Sequence, residues 1–260
     1  MRLLWLLPFA AIVVSAQQPF LTDDADTAPR RHLHLELLNE YDLLQKTSYP
    51  ALRQNTTRVQ LNFGLTNQLE VGLDAPLISI HNATSPGTPD AFGFGDLDLQ
   101  AKYRIRTERA DSNWPSLAVG MYIEVPTGNP RNQLGSGLAD YQLNAIVQKK
   151  LSSRITYRLN SGMLFSGNTL TGAVGIRSTH GFVFTGSSSL TVRLTERWLV
   201  GSDIAGALTQ QFDLQKGQLQ VLFGGKYALS KSIGLDFAAT GGKFEGSPRA
   251  GALFGISIDF

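Results

Sequence analysis

The chain has 260 residues, 26 of them Gly, with 42% hydrophobic and 17% charged residues, leaner in charge than the roughly 25% usual for a soluble domain. With 23 Lys and Arg against 21 acids, and no basic cluster interleaved with aromatics, an electrostatic nucleic-acid surface is excluded. The lack of cysteine rules out disulfides and a lipidated N-terminal Cys, and beyond residue 16 no apolar run reaches the ~20 residues of a spanning helix.

In chain order, residues 1–16 read as an export signal. Arg2 supplies the positive start, Leu3 to Val14 the apolar core, and Val14-Ser15-Ala16 a small-residue cleavage site. The apolar run is short and broken by Pro8, which disfavours a retained anchor. Residues 17–31 form an N-terminal segment carrying Asp23, Asp24 and Asp26. Residues 32–260 are expected to be one all-β domain, a transmembrane antiparallel β-barrel of about twelve strands. The acidic segment is expected in the lumen of that barrel or at its periplasmic mouth.

Periodicity carries that expectation. Successive strand side chains face opposite sides, so a strand between lipid and an aqueous lumen alternates apolar with polar residues. Between Asp96 and Arg106, Leu97, Leu99, Ala101, Tyr103 and Ile105 share one face, and Asp98, Gln100, Lys102 and Arg104 the other. Comparable segments lie near residues 32–43, 56–65, 69–78, 94–106, 115–126, 138–150, 154–165, 180–194, 198–209, 217–228, 232–243 and 250–260. Many match the roughly ten residues that a tilted strand needs to cross a bilayer.

The connections alternate in length. Thr66-Asn67-Gln68, Leu151-Ser152-Ser153 and Thr195-Glu196-Arg197 are short, and Leu44 to Asn55, Ser79 to Gly93 and Ser166 to Thr179 are long. Short periplasmic turns and long external loops have this asymmetry, which a soluble sandwich has no reason to produce. In the last strand Ala252, Phe254, Ile256, Ile258 and Phe260 project one way. Phe260 there resembles the C-terminal assembly signal that outer-membrane proteins present to the barrel-assembly machinery. Trp114, Trp198 and Tyr103 at one set of strand ends, and Tyr41, Phe94 and Phe165 at the other, suit interface girdles. Outer-membrane lipids are the implied surroundings.

Opposite the lipid face fall Glu36, Arg58, Asp74, Asp98, Lys102, Arg104, Glu124, Arg158 and Arg193, the candidate lumen and constriction residues. A Lys or Arg facing lipid at mid-bilayer costs about 2–4 kcal/mol, which directs these side chains inward. Their mixed signs suit either a constriction that passes a small-molecule solute or ion-pair ladders that close the pore. Ile146, Leu164, Val183, Leu222 and Leu253 share the inward face and favour an amphipathic or aromatic solute.

His32, His34 and Glu36 alternate on one strand face and are metal-ligand types. Strand positions i and i+2 chelate only with help from neighbours, so ordinary lumen polarity is the simpler reading. Ser178 to His180, beside the serines that come after Gly186, lack a marked nucleophile for a hydrolase triad. Gly93-Phe94-Gly95 and Gly135-Ser136-Gly137 precede strands and so do not match a strand-to-helix phosphate loop. No catalytic residue, metal or cofactor is indicated, and the protein is not expected to be an enzyme.

Four segments then stand in order: Leu21-Thr22-Asp23-Asp24-Ala25-Asp26-Thr27; Gly93-Phe94-Gly95-Asp96-Leu97 leading to Lys102-Tyr103; Val125-Pro126-Thr127-Gly128-Asn129; and Asp140-Tyr141. Together they resemble the outer-membrane transporter family of the phenol-degradation meta-pathway, over most of the chain beyond residue 16. The resemblance implies a bacterial outer-membrane barrel that takes up aromatic or other hydrophobic compounds, and it brings no catalytic or binding residue set. The expected function is passive uptake of small aromatic or hydrophobic compounds. The alternative is a closed structural or adhesive barrel without transport. Strand alternation carries no information on oligomeric state.

Overall fold

The computed structural model describes residues 19–45, 53–81, 90–110, 112–165, 182–209, 217–244 and 246–260. The expected export signal at 1–16 and the Ser178 to His180 segment lie outside these residues. The strands are β1 (Leu33–Leu43), β2 (Arg53–Gly64), β3 (Leu69–His81), β4 (Ala91–Phe94), β5 (Leu97–Arg106), β6 (Ser116–Val125), β7 (Asp140–Lys150), β8 (Ile155–Phe165), β9 (Phe182–Arg193), β10 (Trp198–Thr209), β11 (Gln218–Ala228), β12 (Ile233–Lys243) and β13 (Ala250–Asp259).

All pairings are antiparallel, and β1 closes on β13 from His34 opposite Asp259 to Leu43 opposite Ala250. Closure is what lipid demands, because a free strand edge in hydrocarbon leaves N–H and C=O groups without partners. The weakly alternating first strand is therefore held on both sides, by β13 and by β2.

The sequence predicts one strand over residues 94–106, whereas the structure has two, β4 and β5, both paired with β3. Leu77 faces Phe94 and Asp74 faces Asp98, so the β4–β5 side carries one extra residue, a bulge. Pro76 lies opposite the break and has no N–H to give the ladder. Its carbonyl instead accepts from the Gly95 amide at 2.8 Å. Counting β4 and β5 as one interrupted crossing, twelve antiparallel strands form a closed barrel.

Period two governs burial throughout. Leu253 is 7% exposed and the adjacent Phe254 67%, because the first faces the interior and the second the bilayer. Leu99, Leu143, Ile204 and Phe223 continue the outward apolar belt. Trp114, Trp198 and Phe260 are exposed at the short-turn end, and Tyr41, Phe94 and Phe165 at the other. The Trp198 ring rests on Tyr227, centroids 4.7 Å apart.

The short turns share one device. Thr66 Oγ1 accepts from the amides of Gln68 and Leu69, Ser152 Oγ from those of Arg154 and Ile155, and Thr195 Oγ1 from those of Arg197 and Trp198. A Ser or Thr hydroxyl that satisfies amides two and three residues on replaces the ladder bonds lost where the chain reverses. The β5–β6 connection is longer and is tied differently. Lys149 Nζ donates to Glu108 Oε1 at 2.6 Å and the Lys150 amide to Oε2 at 2.9 Å. Burial works against the Glu108 charge, yet these donors hold its carboxyl below the usual carboxylate range.

At the opposite end the β6–β7 loop folds onto the wall. Its 3₁₀ turn, Pro130–Asn132, is capped by Asn129, whose side chain accepts from the Arg131 amide. Asp96 Oδ1 accepts from the Gly128 amide at 2.8 Å and Oδ2 from the Ser136 amide at 2.9 Å. Leu134 is buried against Leu44, Ile78 and Ile80.

Candidate solute pathway

The interior divides into two halves along the barrel axis. In the half nearest the short turns, residues 19–28 run inside the barrel. The chain reverses at Arg31, which adopts the left-handed region with φ 65°. Arg31 N donates to Gly64 O at 2.7 Å. Gly64 is required here because a Cβ would lie 2.1 Å from the Pro29 carbonyl oxygen.

The three acids of this segment each find partners on the barrel wall. Asp24 Oδ1 lies 3.2 Å from Lys102 Nζ, whose other partner is Glu70 at 3.5 Å. Asp26 lies 3.8 Å from Arg104 and accepts from Gln148 Nε2 at 2.8 Å. Asp23 accepts from Tyr122 Oη and from Asn144 Nδ2, the latter at 3.3 Å. Further along, the Thr22 amide donates to Asp203 at 2.8 Å. Phe20 packs on Leu38, Leu222, Ala238 and Leu253 at mid-barrel. A buried ion pair is tolerated only when every charge is matched, and Lys102, itself 5% exposed, has two carboxylates around it.

Beyond Pro19 and Leu21 the interior opens into a cavity of about 420 Å³. Its wall has two characters. Along β1 and β5 to β7 stand Glu40, Asp42, Asp98, Glu124 and Asp140, with Arg58 of β2 among them. Along β8 to β13 the described lining residues are uncharged, Leu164, Ala205, Leu222 and Leu253 being the apolar ones.

The candidate lumen residues distribute over both halves. Glu36 is fully buried near the short-turn end, 2.8 Å from His34 Nε2, while His34 Nδ1 sits 2.6 Å from Asp259. Lys102 and Arg104 meet the N-terminal segment, and Arg158 Nε donates to Gln148 Oε1 at 3.0 Å beside it. Arg58 Nη1 pairs with Asp74 at 3.5 Å, and Arg58, Asp98 and Glu124 line the cavity. Arg193 is exposed at the last residue of β9, at the rim, and is not brought to the others.

Sequence reasoning passed over Glu40, Asp42, Glu70, Tyr122 and Asp140. Parity with Glu36, Asp74, Glu124 and Gln142 would have put each of them inside. His32 is exposed with Nδ1 3.2 Å from the Arg30 carbonyl oxygen, and among the described residues no cluster of three ligand-type side chains stands ready for a metal.

A closed barrel with an apolar outer belt, aromatic ends and a polar interior defines a porin-like protein of the bacterial outer membrane. The chain belongs to the family described as "Putative MetA-pathway of phenol degradation", which matches residues 23–260. Among solved structures it resembles an outer-membrane channel from Pseudomonas putida F1, with a TM-score of 0.71 at 15% identity over 91% of this chain and 98% of that one. It also resembles the NanC porin, with a TM-score of 0.56 at 11% identity over 86% and 98% of the two chains. For the KdgM porin the values are 0.53 and 10%, over 87% and 99%. These structures are channels or porins rather than enzymes. No curated protein matches the sequence.

Proposed function

We propose that the protein is a channel for passive uptake of small aromatic or hydrophobic compounds across the outer membrane. The observation that carries this is the 420 Å³ cavity in the external half of a closed barrel, whose β8 to β13 side carries no charge among the described residues and includes Leu164, Leu222 and Leu253. A general porin keeps a wet, polar lumen; a half-apolar wall favours a solute with an apolar body. The description of the family, centred on phenol degradation, supports the same class of compound.

In this reading residues 1–16 direct export and are removed, and residues 17–31 govern the periplasmic half of the route. Asp98 and Glu124 meet the solute first, with Arg58 and Asp74 paired at the cavity wall. Lys102, Arg104 and Arg158 hold the N-terminal segment, Glu36 belongs to the supporting network below it, and Arg193 acts at the periplasmic rim. Phe260, exposed beyond β13, is the contact for the barrel-assembly machinery. No side chain is required to do covalent chemistry.

The filled periplasmic half favours one competing reading, a closed structural barrel. Single-channel recording of the refolded protein in planar bilayers separates the two. Steady openings that phenol or benzyl alcohol blocks are expected, and a protein that inserts without ever conducting, and that gives cells no faster phenol uptake, supports the closed barrel.

A further inference from the structure

Outside the lumen, one sector of the lipid-facing wall departs from the apolar belt. On the outward face of β1 and β2, Asn39 Nδ2 donates to Asn55 Oδ1 at 2.9 Å and to Thr57 Oγ1 at 2.8 Å, and Asn55 Nδ2 donates to Asn39 Oδ1 at 3.0 Å. On β3 the Ser79 hydroxyl lies 3.0 Å from His81 Nε2, and His81 Nδ1 lies 3.4 Å from Asp90, which ends the patch on that side. At the external ends of β6, β7 and β8 the outward residues in register are Ile123, Tyr141 and Phe165. Amides and hydroxyls set against hydrocarbon are costly, so a polar patch in this belt marks a contact with something other than an acyl chain.

Cations stand above the patch and an apolar groove below it. Thr57 lies opposite Asn39, Asn55 opposite Tyr41, and Arg53 opposite Leu43, which puts Arg53 about 14 Å along the strand from Thr57, at the external rim. Lys243, the last residue of β12, and Arg249, just ahead of β13, are exposed on the same arc. The Arg249 amide donates to Leu43 O at 2.7 Å, which ties the start of β13 to the rung of Arg53. Among the described residues no carboxylate pairs with any of these three cations. Toward mid-bilayer a groove of about 530 Å³ runs between Leu37, Leu235, Phe237, Phe254 and Ile256, with Asn39 and Thr57 at its edge.

From the rim inward the wall therefore offers cations, then amides and hydroxyls, then an apolar groove. A phospholipid has a phosphate and acyl chains, but the esters that join its chains cannot donate to the asparagine oxygens. A second copy related by a two-fold axis would bring Arg53, Lys243 and Arg249 against their own counterparts, and like charges across an interface oppose association. The external leaflet of a Gram-negative outer membrane is built of lipopolysaccharide. Its lipid A carries phosphates on its sugars and amide-linked, hydroxylated acyl chains, the same three chemistries in the same order.

We propose that the outward face of β12, β13, β1 and β2 is a docking surface for lipopolysaccharide. Arg53, Lys243 and Arg249 hold the phosphates through charge-assisted hydrogen bonds, Asn39, Asn55 and Thr57 meet the amides and hydroxyls, and an acyl chain lies in the groove beside Leu37 and Phe254. The site needs only the barrel's place in the outer membrane, so it stands apart from the uptake-channel reading.

The test is native mass spectrometry of the detergent-solubilised full chain titrated with lipid A, dephosphorylated lipid A and phosphatidylglycerol. Lipid A is expected to bind at least about tenfold more tightly than either of the others, a difference of about one decade in Kd. The Arg53→Gln, Lys243→Gln, Arg249→Gln triple variant should lose that preference. Asn39→Leu with Asn55→Leu, whose new side chains suit lipid, should weaken lipid A by about threefold or more. Arg131→Gln, at an exposed rim position outside this face, should change nothing. Heat-modifiable mobility shows which variants are folded. If the triple variant does not fold, the wild-type chain still carries the test: raising NaCl from ~50 to ~500 mM should weaken lipid A and spare its dephosphorylated form. Equal binding of the three lipids, an unaltered preference in the triple variant, or the same loss in Arg131→Gln overturns the proposal. So does a dimer that the Asn39→Leu change dissolves. Phenol uptake by cells is scored separately, so lipid A binding without uptake removes only the channel reading.

Discussion

The two halves of the lumen treat charge in opposite ways. Near the short turns every acid of the N-terminal segment meets a donor on the wall, and Lys102 is enclosed by Asp24 and Glu70. In the external half Asp98 has acids opposite it on both neighbouring strands. The first half is built as a fitted contact between two pieces of one chain, and the second as an open cavity with several acids and Arg58 on one side of its wall. The same residue type is locked in an ion pair in one, at the buried Asp24, and lines the open cavity in the other, at the half-buried Asp98.

The largest effect that sharpens this contrast comes from deleting residues 20–28. Removing the segment should raise single-channel conductance several-fold, since it takes out the material that fills the periplasmic half, and an unchanged conductance would mean that the segment does not limit the route. Next comes a matched pair of substitutions read by thermal unfolding. Lys102→Met leaves Asp24 and Glu70 as uncompensated buried charges and should cost about 3–5 kcal/mol. Asp98→Asn removes a like-charge contact and should be neutral or stabilising. Equal losses in both variants would erase the distinction between the halves.

Asp96→Ala should have an intermediate effect. It removes two charge-assisted hydrogen bonds to the β6–β7 loop, each worth about 1.5–3 kcal/mol, and should speed tryptic cleavage at the exposed Arg131. The smallest effect is at Glu108. Its folded carboxyl titrates below the unfolded one, so its contribution is present above the ordinary carboxylate value of about 4.3 and is lost as pH falls through the lowered value. Glu108→Gln should flatten only that acid limb of the melting-temperature profile, and only slightly, because the pair lies near the surface.

Strand alternation is a local signal, which is why the barrel was legible in the sequence. Each residue's side of the wall is set by its neighbours two positions away. The interruption at Gly95–Asp96 was hidden because its cause, Pro76, lies on the partner strand. Asp24 and Lys102 stand 78 positions apart, and no periodicity links a segment inside a barrel to the wall it touches. Glu40 and Asp42 share the parity of Glu36, but Asn39 faces outward between Leu37 and Tyr41 and blurs the alternation of β1. Asn39 is satisfied by Asn55 and Thr57 of β2, a cross-strand contact visible only once the register is known.

The central claim is that solutes pass through this barrel and that residues 19–28 limit their passage. The most direct test is the initial rate of labelled phenol uptake by Gram-negative cells producing the full chain, the 20–28 deletion, or neither. The account predicts faster uptake with the full chain than with neither and faster still with the deletion. Equal rates in all three, with both barrels shown to be folded in the outer membrane, would contradict it.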